Sequence, residues 1–600
     1  MSNTYFSKFY KRVQKILNSE TCCQQAHSNS SAKVSRISES LRPDIKNHYY
    51  YLNVIPTALE LRKSKNTNEP ELHLKTSKIR SNTLNFLENL CPQIENLNLD
   101  KKYIKNITVN KAEKNPDIIF HLNSENFYKD SLTNTEEFLK MQINKPQKVV
   151  VEFSSPNIAK PFHVGHLRST IIGNFIANLN KTLGKNVIKL NYLGDWGTQF
   201  GLLQIGVELS GLTNEEIQKN PIENLFKAYV NANRLANNDP KIADKARDIF
   251  KKLEAGELDL KRWEKFRKYT ITELKSIYER LGVQFDDYDW ESQYKQKDIC
   301  DIVEKLQKKG ILINEVDGRQ IAIIGDRRIP VIKSDGSTLY LARDVAALLD
   351  RFERYKFDSI YYVVDNSQTD HFKACFGIAE QIEQNVSKKL NHIKFGRIKG
   401  MSTRQGNVVF LKDVLNEARD IMIQKQKNSP TTKIDLDNMD VNTADVLGIS
   451  AVIINDLKQR RQRDYLFSWD NALQATGDTG VKLQYTHCRL SNLISENSTI
   501  EKANTPKLEY LRESVAQNLI LEIAKFPEVI IKSHQELESC ILVNYLFSLC
   551  NTTSRALKYL NIKNEKCFES QSQRLLLFET SRQILNKGMK ILGLKPLTKM

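Results

Sequence analysis

The chain changes texture at Lys148. The run Lys148-Val149-Val150-Val151-Glu152-Phe153 is apolar and β-branched, which predicts a buried strand. A polar loop with two prolines, Ser154 to Pro161, leads into a helical pattern from His166 to Leu183, and Gly184 falls where a helix terminates. Asn186 to Asn191 predicts the next strand. Strand, loop, helix, strand is the βαβ unit of a parallel sheet, whose functional loop lies at the carboxyl end of the first strand. Residues 210–310, rich in Glu, Lys, Leu and Ala, predict a helical insertion, and strand-like runs return at Gln320–Ile324 and Ser359–Val364. From about residue 440 helical spacing dominates, as in Val515, Leu519, Ile523 and Phe526, and predicts an all-α bundle.

Upstream of Lys148 the pattern is weaker. Residues 50–145 carry short apolar patches such as Asp117-Ile118-Ile119-Phe120 and predict a small N-terminal α/β domain, preceded by a Ser- and Asn-rich linker over 21–48. Residues 1–19 contain Lys8, Lys11, Arg12 and Lys15 but no acid, with Phe6, Phe9, Val13, Ile16 and Leu17 at helical spacing. A basic, acid-free amphipathic segment at 1–20 has the character of a mitochondrial transit peptide; a basic surface helix is the alternative. The expected division is therefore 1–20, 21–145 (linker and small domain), 146–440 (α/β) and 441–600 (helical).

Composition adds little and excludes more. With 89 Lys and Arg against 71 Asp and Glu the formal charge is +18, spread over 600 residues, so it argues only weakly for a polyanionic partner. The longest apolar candidate, Cys540 to Cys550, is broken by Asn544 and Ser548, which leaves no membrane-spanning helix to expect. Nine cysteines without a Cys-x-x-Cys pair support neither a zinc ribbon nor a disulfide framework, and point to a reducing compartment.

The sharpest local signal is His163-Val164-Gly165-His166, set between a predicted strand and a predicted helix. A helix N-terminus offers N–H groups and a positive dipole end to phosphate. Gly165 would let an adenine ring approach the backbone, and two imidazoles can donate to the oxygens of a pentavalent phosphorus. As a zinc site the pair lacks a third ligand nearby, so no metal is expected there.

These residues sit in a longer run, Val151 to Thr170, that resembles the signature region of arginyl-tRNA synthetases, with 163–166 matching the HIGH tetrapeptide of class I aminoacyl-tRNA synthetases. Further similar blocks follow in order: Asn191 to Gly201, Leu339 to Asp344, Gln368 to Phe372, Gly400 to Leu411, and Gly477 to Gly480 with Leu483-Gln484-Tyr485 and Arg489. The resemblance spans roughly 145–600, and the closing Gly588 to Pro596 looks most like the mitochondrial branch. It implies a Rossmann-type catalytic domain with a helical insertion near 210–310, followed by an anticodon-binding bundle. The second class I signature, Lys-Met-Ser-Lys-Ser, is replaced by Gly400-Met401-Ser402-Thr403-Arg404, which lacks both lysines. In the resembled family a lysine just before HIGH is thought to compensate, and Lys160 stands there, with Arg404 able to add charge from the opposite side.

By the same resemblance Tyr340 and Asp344 hold a guanidinium, with Glu291 as a possible second carboxylate, while Ser155, Asn157 and Gln368, with His166 close by, hold the amino-acid head group. Tyr340 and Asp344 are four apart and share a face if that segment is helical. For RNA, Lys458, Arg460, Arg461 and Arg463 make a cation cluster that is either a solvated face or a backbone contact; Tyr465 and Trp469 either stack on bases or pack the bundle. Tyr485 and Arg489 lie in the matched helical part.

The resemblance implies arginine activation by ATP, with Mg2+ and without zinc, then transfer to the terminal ribose of tRNA(Arg), by a monomer in the mitochondrial matrix or, alternatively, the cytoplasm. Two rivals stand beside it. A small-molecule nucleotidyltransferase also uses His-x-Gly-His but leaves the helical third unexplained. A non-catalytic RNA-binding derivative would be expected to lose His163, His166 or Asp344, and all are present.

Overall fold

The computed structural model describes residues 56–63, 70–76, 104–110, 117–133, 146–158, 162–254, 257, 261–334, 340–400, 410–428, 441–474 and 477–600. The expected transit segment and linker lie outside the described residues. The chain divides into two compact units, one of residues 1–142, 489–529 and 548–585, the other of 143–488, 530–547 and 586–600.

In the first unit β1 (Pro56–Lys63), β2 (Pro70–Thr76), β3 (Ile104–Asn110) and β4 (Asp117–Leu122) form an antiparallel sheet in the order β1-β2-β4-β3. The apolar patch at 117–120 is an inner strand for that reason, and Phe120 is fully buried. The helix Ser124–Thr133 buries Phe127, Tyr128 and Leu132, and helix Ser514–Ala524 packs against it.

The second unit is built on β5 (Lys148–Glu152), β6 (Asn186–Leu193) and β7 (Asp287–Trp290). After three short strands, β8 (Leu312–Asn314), β9 (Gln320–Ile324) and β10 (Arg327–Ile332), come β11 (Ser359–Asp365) and β12 (Leu390–Phe395). The order β12-β11-β5-β6-β7 is parallel throughout. Val149, Val150 and Val151 are wholly buried, as a central strand covered on both faces requires. The strand order reverses between β5 and β11, and the carboxyl edge at such a reversal is the place where open α/β sheets bind ligands.

Three expectations change. The segment 210–310 is helical only to Arg280 and from Gln296; between them β7 returns to the sheet, hidden in the sequence because Asp287 and Asp289 make it read as polar. Those carboxylates are satisfied by Arg351 and Arg354, which pair with Asp289, and by Arg354 and Tyr355 on Asp287. The run at 320–324 is a strand, but of a separate antiparallel sheet, β10-β9-β8. Helices dominate beyond 440, yet β14 (Tyr465–Leu466) pairs in parallel with β13 (Ile398–Lys399), and helix Val441–Leu457 packs on helix Leu411–Lys427.

Candidate active site

The loop from β5 enters helix Val164–Thr182 through His163, which sits in an extended conformation as the N-cap. Its Nδ1 accepts the Gly165 N–H at 3.0 Å, and Nδ1 of His166 accepts the His163 N–H at 3.4 Å, a reciprocal capping box made from two imidazoles. With Nδ1 accepting in each ring, the proton of the neutral imidazole sits on Nε2. Desolvation lowers the His163 pKa, which favours that neutral form. The rings are 4.2 Å apart, and His166 stacks on buried Phe162. A Cβ on Gly165 would lie 2.6 Å from Cε1 of His163, so the cap itself demands glycine, independently of any nucleotide. Phe410 bridges to His163 and the Leu411 N–H donates to the Phe162 carbonyl at 2.7 Å, which places Phe410 and Leu411 against this helix start. Lys160, Met401, Ser402 and Arg404 lie outside the described residues, as does the side chain of Tyr340.

Ser154 and Ser155, at the carboxyl end of β5, both have positive φ (74° and 45°), a strained pair held by its surroundings. The Ser154 N–H donates to Ser169, its hydroxyl meets Tyr278 at 2.8 Å, the Ser155 N–H donates to Asn191, and the Ser155 hydroxyl donates to Glu152. Asn157 bridges to Gly194 after β6, where a Cβ would fall 1.8 Å from the Asn157 Oδ1. The loop geometry thus depends on Gly194.

On the other side Asp344 lies in helix Tyr340–Tyr355, so the helical spacing with Tyr340 holds. Nε2 of His371 meets Asp344 Oδ2 at 2.8 Å, and the Tyr192 hydroxyl approaches Oδ1 at 3.5 Å. Glu291 occupies the short turn after β7. Buried Asp195 pins that turn, accepting the Ser292 N–H at 2.8 Å and its hydroxyl at 2.6 Å. Burial, then the charges of Asp344 and Asp195, push the Glu291 pKa up to about 7, against the pull of Arg343. Burial likewise raises Glu152, with Arg351 opposing. Two carboxylates that repel each other favour a cation beside them. Gln368 is exposed, in the turn after β11.

Residue types, edge and switch point agree with the sequence relationships. The chain matches the model "tRNA synthetases class I (R), catalytic domain" over residues 128–469 and the "DALR anticodon binding domain" over 483–600. This chain belongs to the class I arginyl-tRNA synthetases. A protein of Homo sapiens named "Probable arginine--tRNA ligase, mitochondrial" is 43% identical over 460 residues, 76% of this chain and 78% of that one. "Arginine--tRNA ligase, cytoplasmic" of Saccharomyces cerevisiae is 38% identical over 509 residues, 82% and 83%. The arginyl-tRNA synthetase structure of Thermus thermophilus superposes with a TM-score of 0.75 at 17% identity, over 98% of this synthetase and 100% of that chain, which shows the shared fold.

The RNA candidates separate. Arg460 and Arg463 are exposed, as are Tyr485 and Arg489 on helix Gly480–Glu496. Lys458 is half-buried and donates to the Asp478 carbonyl at 3.3 Å. Arg461 and Tyr465, for each of which a structural reading stood beside the RNA one, turn inward: Arg461 donates to the Lys394 and Leu537 carbonyls, and Tyr465 to Asp456 at 2.9 Å. Half-buried Trp469 packs edge-on against Phe467. Alternation of cations in a short run cannot tell which of them the fold uses. Four pocket residues went unmarked in the sequence: Glu152, Tyr192, Asp195 and His371. All but Glu152 lie in blocks similar to the family after the signature run, and that position was their only signal.

Proposed function

We infer that this synthetase is an arginine–tRNA ligase working in the mitochondrial matrix. The observation that carries the ligase reading is the meeting, at one strand-order reversal, of a helix start capped by two imidazoles with two carboxylates, Glu291 and Asp344, that repel each other. ATP is a substrate, entering as its Mg2+ complex.

In the first step the arginine carboxylate attacks the α-phosphorus and pyrophosphate leaves. The Nε2–H groups of His163 and His166 donate to phosphoryl oxygens as charge builds there. Lys160 and Arg404 are assigned to the pyrophosphate, with Met401 and Ser402 of the same signature stretch. Asp344 and Glu291, with Tyr340, take the guanidinium; Ser155, Asn157 and Gln368 orient the head group. In the second step a hydroxyl of the terminal ribose of tRNA(Arg) attacks the arginyl carbonyl and AMP leaves. Positioning and charge stabilisation supply the catalysis, without a covalent enzyme intermediate. Exposed Arg460, Arg463, Tyr485 and Arg489 are assigned to the RNA, and the active species is a monomer.

Charging of tRNA(Arg) by the wild type and by His166→Ala tests the reading. A fall of about 100-fold in kcat is expected, the order of magnitude for losing one transition-state donor; undiminished charging would overturn the mechanism. The matrix assignment is supported by the acid-free basic start of the chain and by relatives named mitochondrial, although cytoplasmic relatives match nearly as well. A reporter fused to residues 1–30 should enter mitochondria; a diffuse cytoplasmic signal would refute the assignment.

A further inference from the structure

His371 belongs to neither signature nor to the expected arginine contacts, yet it makes a short polar contact with Asp344. It lies in helix Thr369–Ile382, less than one turn beyond Gln368, at the strand-order reversal. Its ring packs edge-on against Phe372, which in turn lies against Tyr362, Phe376 and His392. That aromatic layer fixes the helix face from which the imidazole projects, so Nε2 arrives at Oδ2 of Asp344 from a rigid support. Tyr192, from the end of β6, approaches the other oxygen, and its own ring is covered by the Arg351 guanidinium at 4.3 Å. The two neighbours approach Asp344 from different elements, one per oxygen.

A carboxylate that must meet a planar guanidinium in its own plane gains from such a brace. Free rotation about χ2 of an aspartate is soft, and a bidentate pair tolerates little misalignment. We propose that His371 is a positioning residue for arginine recognition, holding the Asp344 carboxylate by an Nε2–H···Oδ2 hydrogen bond in the orientation that a guanidinium requires. The proposal rests on the assignment of Asp344 to the arginine side chain. His371 touches no reacting atom in this scheme and takes no part in the phosphoryl or acyl steps. The charged groups about it are Asp344, with Glu291, Glu152 and Arg351 beyond, and Asp370 and Lys373 on its own helix. Asp370 is engaged by Arg327 at 3.0 Å.

The brace predicts a particular split of kinetic constants. His371→Ala removes the donor, so KM for arginine rises about tenfold while kcat and KM for ATP stay within about twofold. His371→Gln places an amide N–H close to the position of the imidazole Nε2, so KM for arginine returns to within about threefold of wild type. The assay is tRNA(Arg) charging by the full-length enzyme at pH 8, with arginine and ATP varied separately and Asp344→Asn measured in parallel. An unchanged KM for arginine in His371→Ala would overturn the proposal. So would a fall in kcat without a KM effect, or a glutamine variant no better than alanine in the same folded state, judged by an unaltered thermal midpoint. Asp344→Asn distinguishes the two layers: if it too leaves KM for arginine unchanged, the arginine-site assignment itself has failed, whereas a large KM effect there with none in His371→Ala defeats only the brace.

Discussion

With Glu291 contacting the arginine side chain as proposed, its raised pKa should make arginine recognition pH-dependent, with a sign and a size. The carboxyl titrates near 7 in the free enzyme because it is buried and faces Asp344 and Asp195. A guanidinium binds the ionised form, so below that pKa arginine must displace a proton. For one such group the apparent KM follows the factor 1 + 10^(pKa − pH), roughly 11 at pH 6 and roughly 1.1 at pH 8, a rise of about tenfold on acidification. His371 titrates in the same direction: its contact with Asp344 raises its pKa, and in the charged form it competes with the substrate for that carboxylate. Glu291→Gln should therefore raise KM at pH 8 and flatten most of the slope, leaving the part due to His371; the double variant with His371→Gln should be nearly flat. The measurement is KM for arginine in tRNA(Arg) charging from pH 6 to 8 at saturating ATP and RNA. Calorimetric titration of arginine in two buffers of different ionisation enthalpy should show proton release at pH 6.5. A wild-type KM that is flat over this range, or a Glu291→Gln profile as steep as wild type, would refute the electrostatic account.

Two further outcomes follow from packing. Gly194→Ala would thrust a Cβ to 1.8 Å from the Asn157 Oδ1, so the head-group loop must move; KM for arginine should rise by an order of magnitude with a small loss of thermal stability, and an alanine variant with wild-type kinetics would contradict the role given to Asn157. Arg168, 1% exposed, reaches from the signature helix to Asp456 at 2.9 Å and to the Gly396 and Arg463 carbonyls; Arg168→Ala strands a buried carboxylate and should cost about 3–5 kcal/mol, read as a lowered urea midpoint, whereas a shift below about 1 kcal/mol would show that Asp456 finds another partner.

What the sequence disclosed tracks what local pattern can encode. The strand at 148–152, the helix after it and the strand at 186–193 were legible because an unbroken β-branched run, a helical apolar spacing and a terminal glycine all act within a few residues. β7 was not, since Asp287 and Asp289 look like surface residues until Arg351 and Arg354, more than sixty positions away, are seen to meet them. β12, Leu390–Phe395, alternates polar and apolar as an edge strand does, and such short alternations are common in loops. The inward turn of Arg461 and Tyr465 was invisible for the same reason: their partners Lys394, Leu537 and Asp456 lie on other elements.

The substrate preference shows most clearly why composition misleads. A chain of net charge +18 suggests an affinity for polyanions, and the exposed arginines at 460 and 463 suit that reading. The crevice has the opposite local character. Arg351 and Arg354 are spent on Asp289, and Arg267 on Asp195 at 3.5 Å, so Glu291 and Asp344 are left to repel each other with Arg343 and His371 at their margins. In the empty site that repulsion is relieved by protonation of Glu291 near neutral pH, and at higher pH it favours a bound cation of the right shape. A neutral isostere such as citrulline would leave the carboxylates facing each other and desolvated, whereas lysine would bring charge without the planar fork that two carboxylates can share. On the proposed assignment, selectivity for arginine comes from two mutually repelling carboxylates, assembled from residues between 195 and 371 whose types were visible in the sequence but whose convergence was not.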